Sequence, residues 1–249
     1  MDTPVDRLPW SWRVFAWTGA LLFALSLSYF LFTYAVTFAE TRQARPAAAP
    51  ILGDFSLFTI FALHHSVFAR GRVRAWVTRT VPPALERSFY VWVASLLFIA
   101  VCAFWEPVGG VAWAIPRPFG WLLYAALAYG AWLSVRSAGV IDIWDLAGVR
   151  QVVAARDSLV SRPREPVESL EFKTSGPYGL VRHPIYLGWF LMMFGVPTMT
   201  NTRLVFALVS CTYLLVAIPL EERTLRQMSA GKYDRYMKAV PWKLIPGLY

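Results

Sequence analysis

The densest run of polar and turn-forming residues lies at positions 175–188 and reads Ser-Gly-Pro-Tyr-Gly-Leu-Val-Arg-His-Pro-Ile-Tyr-Leu-Gly. Gly176 and Pro177 make a turn, and Arg182 and His183 stand directly before Pro184, a residue suited to the first position of a helix. A helix N-terminus offers unpaired N–H groups and the positive end of its dipole, which suits a carboxylate or a phosphate. Arg182 could add a bidentate clamp on the same anion. Taken singly, Arg182 reads as a snorkelling interfacial cation and His183 as a cap; the whole constellation is harder to reduce to that. A second signal is Glu221-Glu222-Arg223, at the C-terminal end of an apolar run. Adjacent carboxylates there oppose the helix dipole and call for a cationic partner, either Arg182, Arg223, Arg226 or a ligand. A solvated helix end is the plainer alternative.

Two further clusters carry less. His64, His65 and Ser66 sit inside an apolar run, and neighbouring helical residues point about 100° apart, so the histidines are not an i, i+4 chelating pair. An intramembrane histidine is a functional candidate, with hydrogen bonding between helices the plainer role. Asp142, Asp145, Arg150 and Gln151 form a polar group that could line a substrate mouth or pair internally. No G-x-G-x-x-G, P-loop or H-E-x-x-H pattern is present, and no metal site is expected.

The elements that must position these groups are set by composition. Of 249 residues, 57% are hydrophobic and only 16% charged, which favours a bilayer as the solvent. The 12 Trp and 11 Tyr fit interfacial belts. Cys102 and Cys211 lie in apolar runs and exclude a disulfide framework. The first apolar run is too long for the core of a cleavable signal peptide and reads as a retained span. About 20 residues cross the hydrocarbon of a bilayer, and six candidate spans fall at about 12–39, 53–69, 88–105, 119–135, 184–199 and 203–220. The expected fold is therefore all-α: a polytopic transmembrane helix bundle with a C-terminal cytoplasmic amphipathic helix bearing Leu225, Met228, Tyr233 and Tyr236. Residues 1–249 read as one membrane domain, with a four-span part at 1–135 and a cofactor-binding part at 136–249. The polar run 156–173, with Pro163 and Pro166, reads as an irregular loop or short interfacial helices.

Charge orients the bundle. Twenty of the 24 Lys and Arg fall in the N-terminus, 70–87, 136–183 and the C-terminal tail, which share one side of a six-span chain. Arg42, Arg45, Arg117 and Arg203 take the other. This bias predicts both termini on the cytoplasmic side; the expected setting is a bacterial inner membrane. The net charge of +9 is then explained by topology and anionic lipid, with no nucleic-acid partner.

Gly176-Pro177-Tyr178, Val181-Arg182-His183-Pro184, Tyr186, Gly188 and Glu221-Glu222 resemble the C-terminal signature of integral membrane methyltransferases, the isoprenylcysteine carboxyl and phospholipid N-methyltransferases. Gly231, Tyr233, Tyr236, Val240-Pro241 and Ile245-Pro246 are similar to the family's closing pattern. In the N-terminal half, His65-Ser66, Arg70, Val81-Pro82-Pro83, Glu86-Arg87 and Tyr90 resemble the NnrU-like and methanethiol S-methyltransferase branch, as do Trp144-Asp145, Gly148, Arg150-Gln151 and Pro197-Thr198-Met199-Thr200. Ile141-Asp142-Ile143 departs from the pattern of that branch.

The resemblance implies S-adenosylmethionine as cofactor, held by Tyr178, Val181, Arg182, His183, Tyr186, Gly188, Glu221, Glu222, Tyr233 and Tyr236. It implies His183, Arg182 and Arg150 as candidates for promoting the reaction, and His65, Asp145 and Gln151 as substrate contacts. The expected activity is S-methylation of a small thiol such as methanethiol to dimethyl sulfide. The alternatives are a prenylated or lipid-borne carboxylate or amine as acceptor, a membrane NADPH reductase, and a non-enzymatic accessory or transport protein using His64, His65 and Asp54.

Overall fold

The computed structural model describes residues 9–41, 48–68, 71–160 and 176–249. Of the polar run 156–173, only the backbone as far as Val160 lies among them. The helices are α1 (Trp10–Ala35), α2 (Ala48–Phe68), α3 (Gly71–Val77), α4 (Glu86–Phe104), α5 (Gly120–Ile141), α6 (Ile143–Leu146), α7 (Val149–Val160), α8 (Pro184–Phe194), α9 (Asn201–Met228) and α10 (Lys232–Ala239); two short strands are β1 (Val111–Ala114) and β2 (Thr198–Thr200).

Four helices among the described residues are long and apolar enough to cross a membrane: α1 and the 3-10 turn after it, α2, α4 with the turn before it, and α9. The protein is a mostly helical integral membrane protein. Helix α5 has the length, 22 residues, but Tyr124, Tyr129, Gly130, Trp132 and Arg136 dilute its apolarity. Helix α8 has only 11 residues; at 1.5 Å each it covers roughly 16 Å, about half the hydrocarbon thickness. Leu225 and Met228, expected on the tail helix, belong to the end of α9.

The chain folds as two compact units that alternate along the sequence. The first contains α1 up to Thr33, α2 from Ser56, α3, α4, α6 and α7. Aromatic rings bind its long helices together: Phe98 meets Phe30 at 5.3 Å and Phe61 at 5.2 Å between centroids. Trp92 stacks on Phe15 and donates from its indole N–H to the Phe15 carbonyl at 2.9 Å. Gly19 makes room for that indole, since a Cβ there would stand 2.8 Å from the ring. Gly148, at φ +78°, lets the backbone after α6 close on Ser88, whose hydroxyl donates to the Gly148 carbonyl at 2.7 Å.

The second unit contains Tyr34–Phe55, Glu106–Ile141 and the chain from Gly176 onward. Its central contact is α5 against α8, a seam of small residues: Gly130, Ser134 and Leu127 on one helix face Gly188, Leu191 and Gly195 on the other. Three connecting segments meet at one end of this unit. Strands β1 and β2 pair antiparallel, with Trp113 opposite Met199 and Ala114 opposite Thr198. Thr200 caps α9 by accepting from the Arg203 N–H and donates its hydroxyl to the Phe38 carbonyl. Arg203 is buried and donates to the carbonyls of Tyr34, Ala35 and Thr198, closing the last turn of α1. Asp54 accepts from the Glu106 N–H at 2.8 Å.

Candidate active site

At a separate place in the second unit, the run around Arg182, the end of α9 and α10 come together. Gly176, at φ +62°, and Pro177 open a single 3-10 turn that delivers Val181 into the interior and Arg182 and His183 to the start of α8. Pro184 occupies the first turn of α8, as expected. The backbone of this segment is fastened to the tail: the Arg182 N–H donates to the Trp242 carbonyl and the His183 N–H to the Lys243 carbonyl, each at 2.9 Å.

The side chains form two layers. In the inner layer Arg182, His183, Glu222 and Tyr233 are all buried. Arg182 donates from Nε to Glu222 Oε1 at 2.7 Å and from Nη1 to the carbonyls of Val240 (2.8 Å) and Pro241 (2.7 Å). The same Glu222 oxygen stands 3.3 Å from His183 Nε2 and accepts from the Tyr233 hydroxyl at 3.3 Å. A carboxylate only accepts, so Nε2 is the protonated nitrogen of His183. The helix carrying the two carboxylates runs on to Met228, so they stand inside α9 and not at its C-terminus as expected, and a buried guanidinium faces one of them. Tyr236 packs against Tyr233 and donates to the Tyr178 carbonyl at 2.8 Å, which docks α10 on the turn before α8. Burial, with the Glu222 charge as a lesser contributor, holds the Tyr236 hydroxyl protonated up to about 12. Burial likewise pushes Tyr178 and Tyr233 well above the ordinary tyrosine value.

The outer layer is open. Glu221, with 46% of its side chain exposed, accepts from the Tyr186 hydroxyl at 2.8 Å. The Tyr186 ring stacks on His183, 5.3 Å between centroids and 16° between planes, and His183 Nδ1 lies 3.8 Å from Glu221 Oε2. The accessible groups are therefore a carboxylate, a phenol and the face of an aromatic ring.

The remaining residues singled out from sequence occupy other surroundings. Gly188 lies in the α5–α8 seam, where a Cβ would meet the Gly130 carbonyl at 2.6 Å and the Ser134 hydroxyl. His65 is in the first unit, its Nδ1 2.7 Å from the Tyr90 hydroxyl. Also in the first unit, Arg150 is ion-paired with Asp142, and the Gln151 amide donates to Asp145 at 2.9 Å. Asp142 accepts from the Trp144 and Asp145 N–H groups and starts α6. Sequence reading missed the Val240 and Pro241 carbonyls as partners of Arg182. A main-chain acceptor has no residue type to announce it, although the Val240-Pro241 pair marked the place.

A family profile for phospholipid methyltransferases matches residues 121–230, which includes α8, all of α9 and both site carboxylates. A methanethiol S-methyltransferase of Crocosphaera subtropica is 39% identical over 208 residues, 83% of this chain and 79% of that protein. The chain belongs to this family of membrane methyltransferases. It is an enzyme that takes a methyl group from a donor. A methanethiol S-methyltransferase of Pseudomonas deceptionensis is 34% identical over 213 residues, covering 84% of this chain and 79% of its own length. Human Nurim, 31% identical over 195 residues, covers 76% of this chain and 72% of its own. No solved structure matches.

Proposed function

We propose that this methyltransferase uses S-adenosylmethionine to S-methylate a small thiol, methanethiol, giving dimethyl sulfide. The observation that carries the acceptor is the likeness to proteins named methanethiol S-methyltransferase over about four fifths of both chains. The donor assignment draws on the outer layer. An exposed carboxylate beside a phenol suits an ammonium group and ribose hydroxyls, and the Tyr186–His183 face suits a cationic sulfonium. The residues present fit the cofactor.

Bound there, S-adenosylmethionine supplies an electrophilic methyl group for in-line displacement by a thiolate sulfur. Glu221 and Tyr186 bind and orient. His183 holds the Tyr186 ring by stacking and is itself held by Glu222. Arg182 and Glu222 neutralise each other and tie the start of α8 to the end of α9 and to the tail. Preorganisation of this kind fixes the orientation of the donor, a large part of what a displacement reaction asks of a protein.

We further infer six crossings with both termini and the site on the cytoplasmic face. Three features support this: the charge bias, the meeting of segments 34–38, 106–114 and 198–203 at one end of the second unit, and the geometry of the fifth crossing. The last combines half-length α8 with the non-helical residues 195–200, which end in β2, together long enough to span.

Purified protein in detergent, given methanethiol and S-adenosylmethionine, is expected to release dimethyl sulfide into the headspace. Absence of product with intact cofactor binding would transfer the assignment to a lipid-borne carboxylate or amine, the reading favoured by the phospholipid methyltransferase match. Absence of cofactor binding would remove the donor assignment as well.

A further inference from the structure

We propose that residues 241–249 form an interfacial anchor, lying in the headgroup layer of the bilayer with anionic lipid against Lys238 and Lys243. The proposal rests on α8 lying within the membrane, as read above, and is independent of the donor and the acceptor.

The segment is a tied loop. The Leu244 and Ile245 N–H groups donate to the Tyr249 main-chain oxygen at 2.9 and 3.1 Å, and the Leu248 and Tyr249 N–H groups donate to the Ile245 carbonyl at 3.1 and 3.0 Å. Gly247, at φ +80°, takes the left-handed conformation of this turn. Leu244 is 1% exposed and pins the loop to the interior, whereas Trp242, Ile245, Leu248 and Tyr249 are exposed, Leu248 to 76%. Four large side chains of this kind kept exposed on a tied backbone mark a contact surface.

Depth identifies what the surface meets. The Trp242 and Lys243 carbonyls accept from the Arg182 and His183 N–H groups at 2.9 Å, and the next residue, Pro184, opens α8. No charged residue occurs in α8. The loop is therefore fixed at the level where an uncharged helix enters hydrocarbon, the layer in which Trp and Tyr are favoured. A soluble partner would have to reach this face through the headgroups, whereas lipid already surrounds it.

Charge identifies the lipid. Residues 232–249 carry four cationic side chains against one carboxylate, Asp234, and Asp234 is bonded to Arg226. Lys238 and Lys243 form no ion pair among the described residues. Lys243 stands 4.5 Å from the centre of the Tyr249 ring and donates to its hydroxyl at 3.3 Å. An ammonium beside exposed apolar groups matches a lipid phosphate above acyl carbon. The Val240 and Pro241 carbonyls that hold the Arg182 guanidinium lie at the start of the loop, so lipid contact steadies the inner layer of the site.

The test uses the full-length protein in lipid vesicles. Cys102 and Cys211 are buried, so a fluorescent maleimide on Leu248→Cys reports the loop alone. Nitroxides placed near the lipid headgroup should quench it strongly, and acrylamide in the water should quench it little. Adding phosphatidylglycerol to phosphatidylcholine vesicles should deepen the nitroxide quenching. In Lys238→Gln or Lys243→Gln, the phosphatidylglycerol fraction needed for half of that gain should rise about fivefold, the worth of one basic residue at an anionic surface. Quenching by acrylamide alone overturns the anchor, and so does quenching by neither, which marks a face covered by protein. An unchanged half-point in both lysine variants overturns the anionic contact. The same label on Phe190→Cys, midway along α8, tests the membrane placement separately. Lipid quenching at position 190 with none at 248 rejects the anchor and keeps α8 in the membrane; none at either rejects both.

Discussion

Arg182 Nε and Glu222 Oε1 lie 2.7 Å apart with both side chains buried, and the two residues come from the start of one helix and the end of another. Removing one partner of such a pair leaves a buried charge uncompensated, at a cost of about 3–5 kcal/mol. Glu222→Ala should lower thermal stability in detergent and abolish methyl transfer together. Arg182→Lys should do nearly the same, because an ammonium lacks the planar fork that reaches Glu222 and the carbonyls of Val240 and Pro241 at once. A fully active, stable Glu222→Ala protein would remove this pair from any role in the site.

Glu221→Gln separates ligand binding from architecture. The residue is half exposed and bonded to Tyr186 alone at close range. Its amide should leave the melting temperature within about a degree of wild type, as surface changes usually do. Binding of S-adenosylmethionine should weaken about tenfold, the scale of one charge-assisted hydrogen bond. Tyr186→Phe should show a smaller loss. Isothermal titration with the methyl donor checks both, and undiminished affinity in the two variants would place the cofactor elsewhere.

The tyrosine cluster predicts an alkaline limit. Burial pushes the Tyr236 hydroxyl up to about 12 and raises Tyr178 and Tyr233 in the same direction. A raised folded-state value means the native protein holds these protons more tightly than the unfolded chain. Their contribution is complete below about pH 10 and is lost as pH climbs toward 12. Phenolate absorbance near 295 nm should therefore rise for these residues only as the protein unfolds. Early ionisation at pH 10 with the fold intact would contradict the burial described.

Gly188→Ala tests packing. The added methyl would stand 2.6 Å from the Gly130 carbonyl and against the Ser134 hydroxyl. Ser134→Ala should not rescue it, because the backbone clash remains. The expected destabilisation is about 1–3 kcal/mol, measured by thermal aggregation of the detergent-solubilised protein. Stability equal to wild type would mean that α5 and α8 are not as close as the seam requires.

Arg150→Gln distinguishes a surface pair from a reacting group. The arginine side chain is 57% exposed and faces Asp142, and exposed pairs contribute about 0–1 kcal/mol. Methyl-transfer rates should stay within about twofold of wild type. A loss of a hundredfold or more would instead make Arg150 part of the chemistry.

Much of the site was legible because its residue types conflict with their surroundings. Two carboxylates directly after an apolar run call for a cation, and the Arg182-His183-Pro184 run supplies one at a helix start, although α9 continues past them to Met228. The turn at Gly176-Pro177 and the proline opening of α8 follow from local chemistry and were readable for that reason. Gly188 was legible as a motif residue, but its place against Gly130 depends on a tertiary contact between helices distant in sequence. The shortness of α8 was hidden because residues 195–197 continue the apolar run without continuing the helix. Which carboxylate faces inward was equally hidden: Glu221 and Glu222 are chemically identical, and only the rotation of α9 makes one a core anchor and the other an open contact.

The fastening of Arg182 to the tail also sets a clock. The Val240 carbonyl that receives the guanidinium is 58 residues downstream. At about 5–20 residues per second, a ribosome needs roughly 3–12 s to bring the two together. During that interval α8 and α9 are made, while Arg182 still lacks two of its acceptors. The cluster around Arg182 is thus completed late in synthesis. A chain ending after α9 is therefore expected to lack methyl transfer.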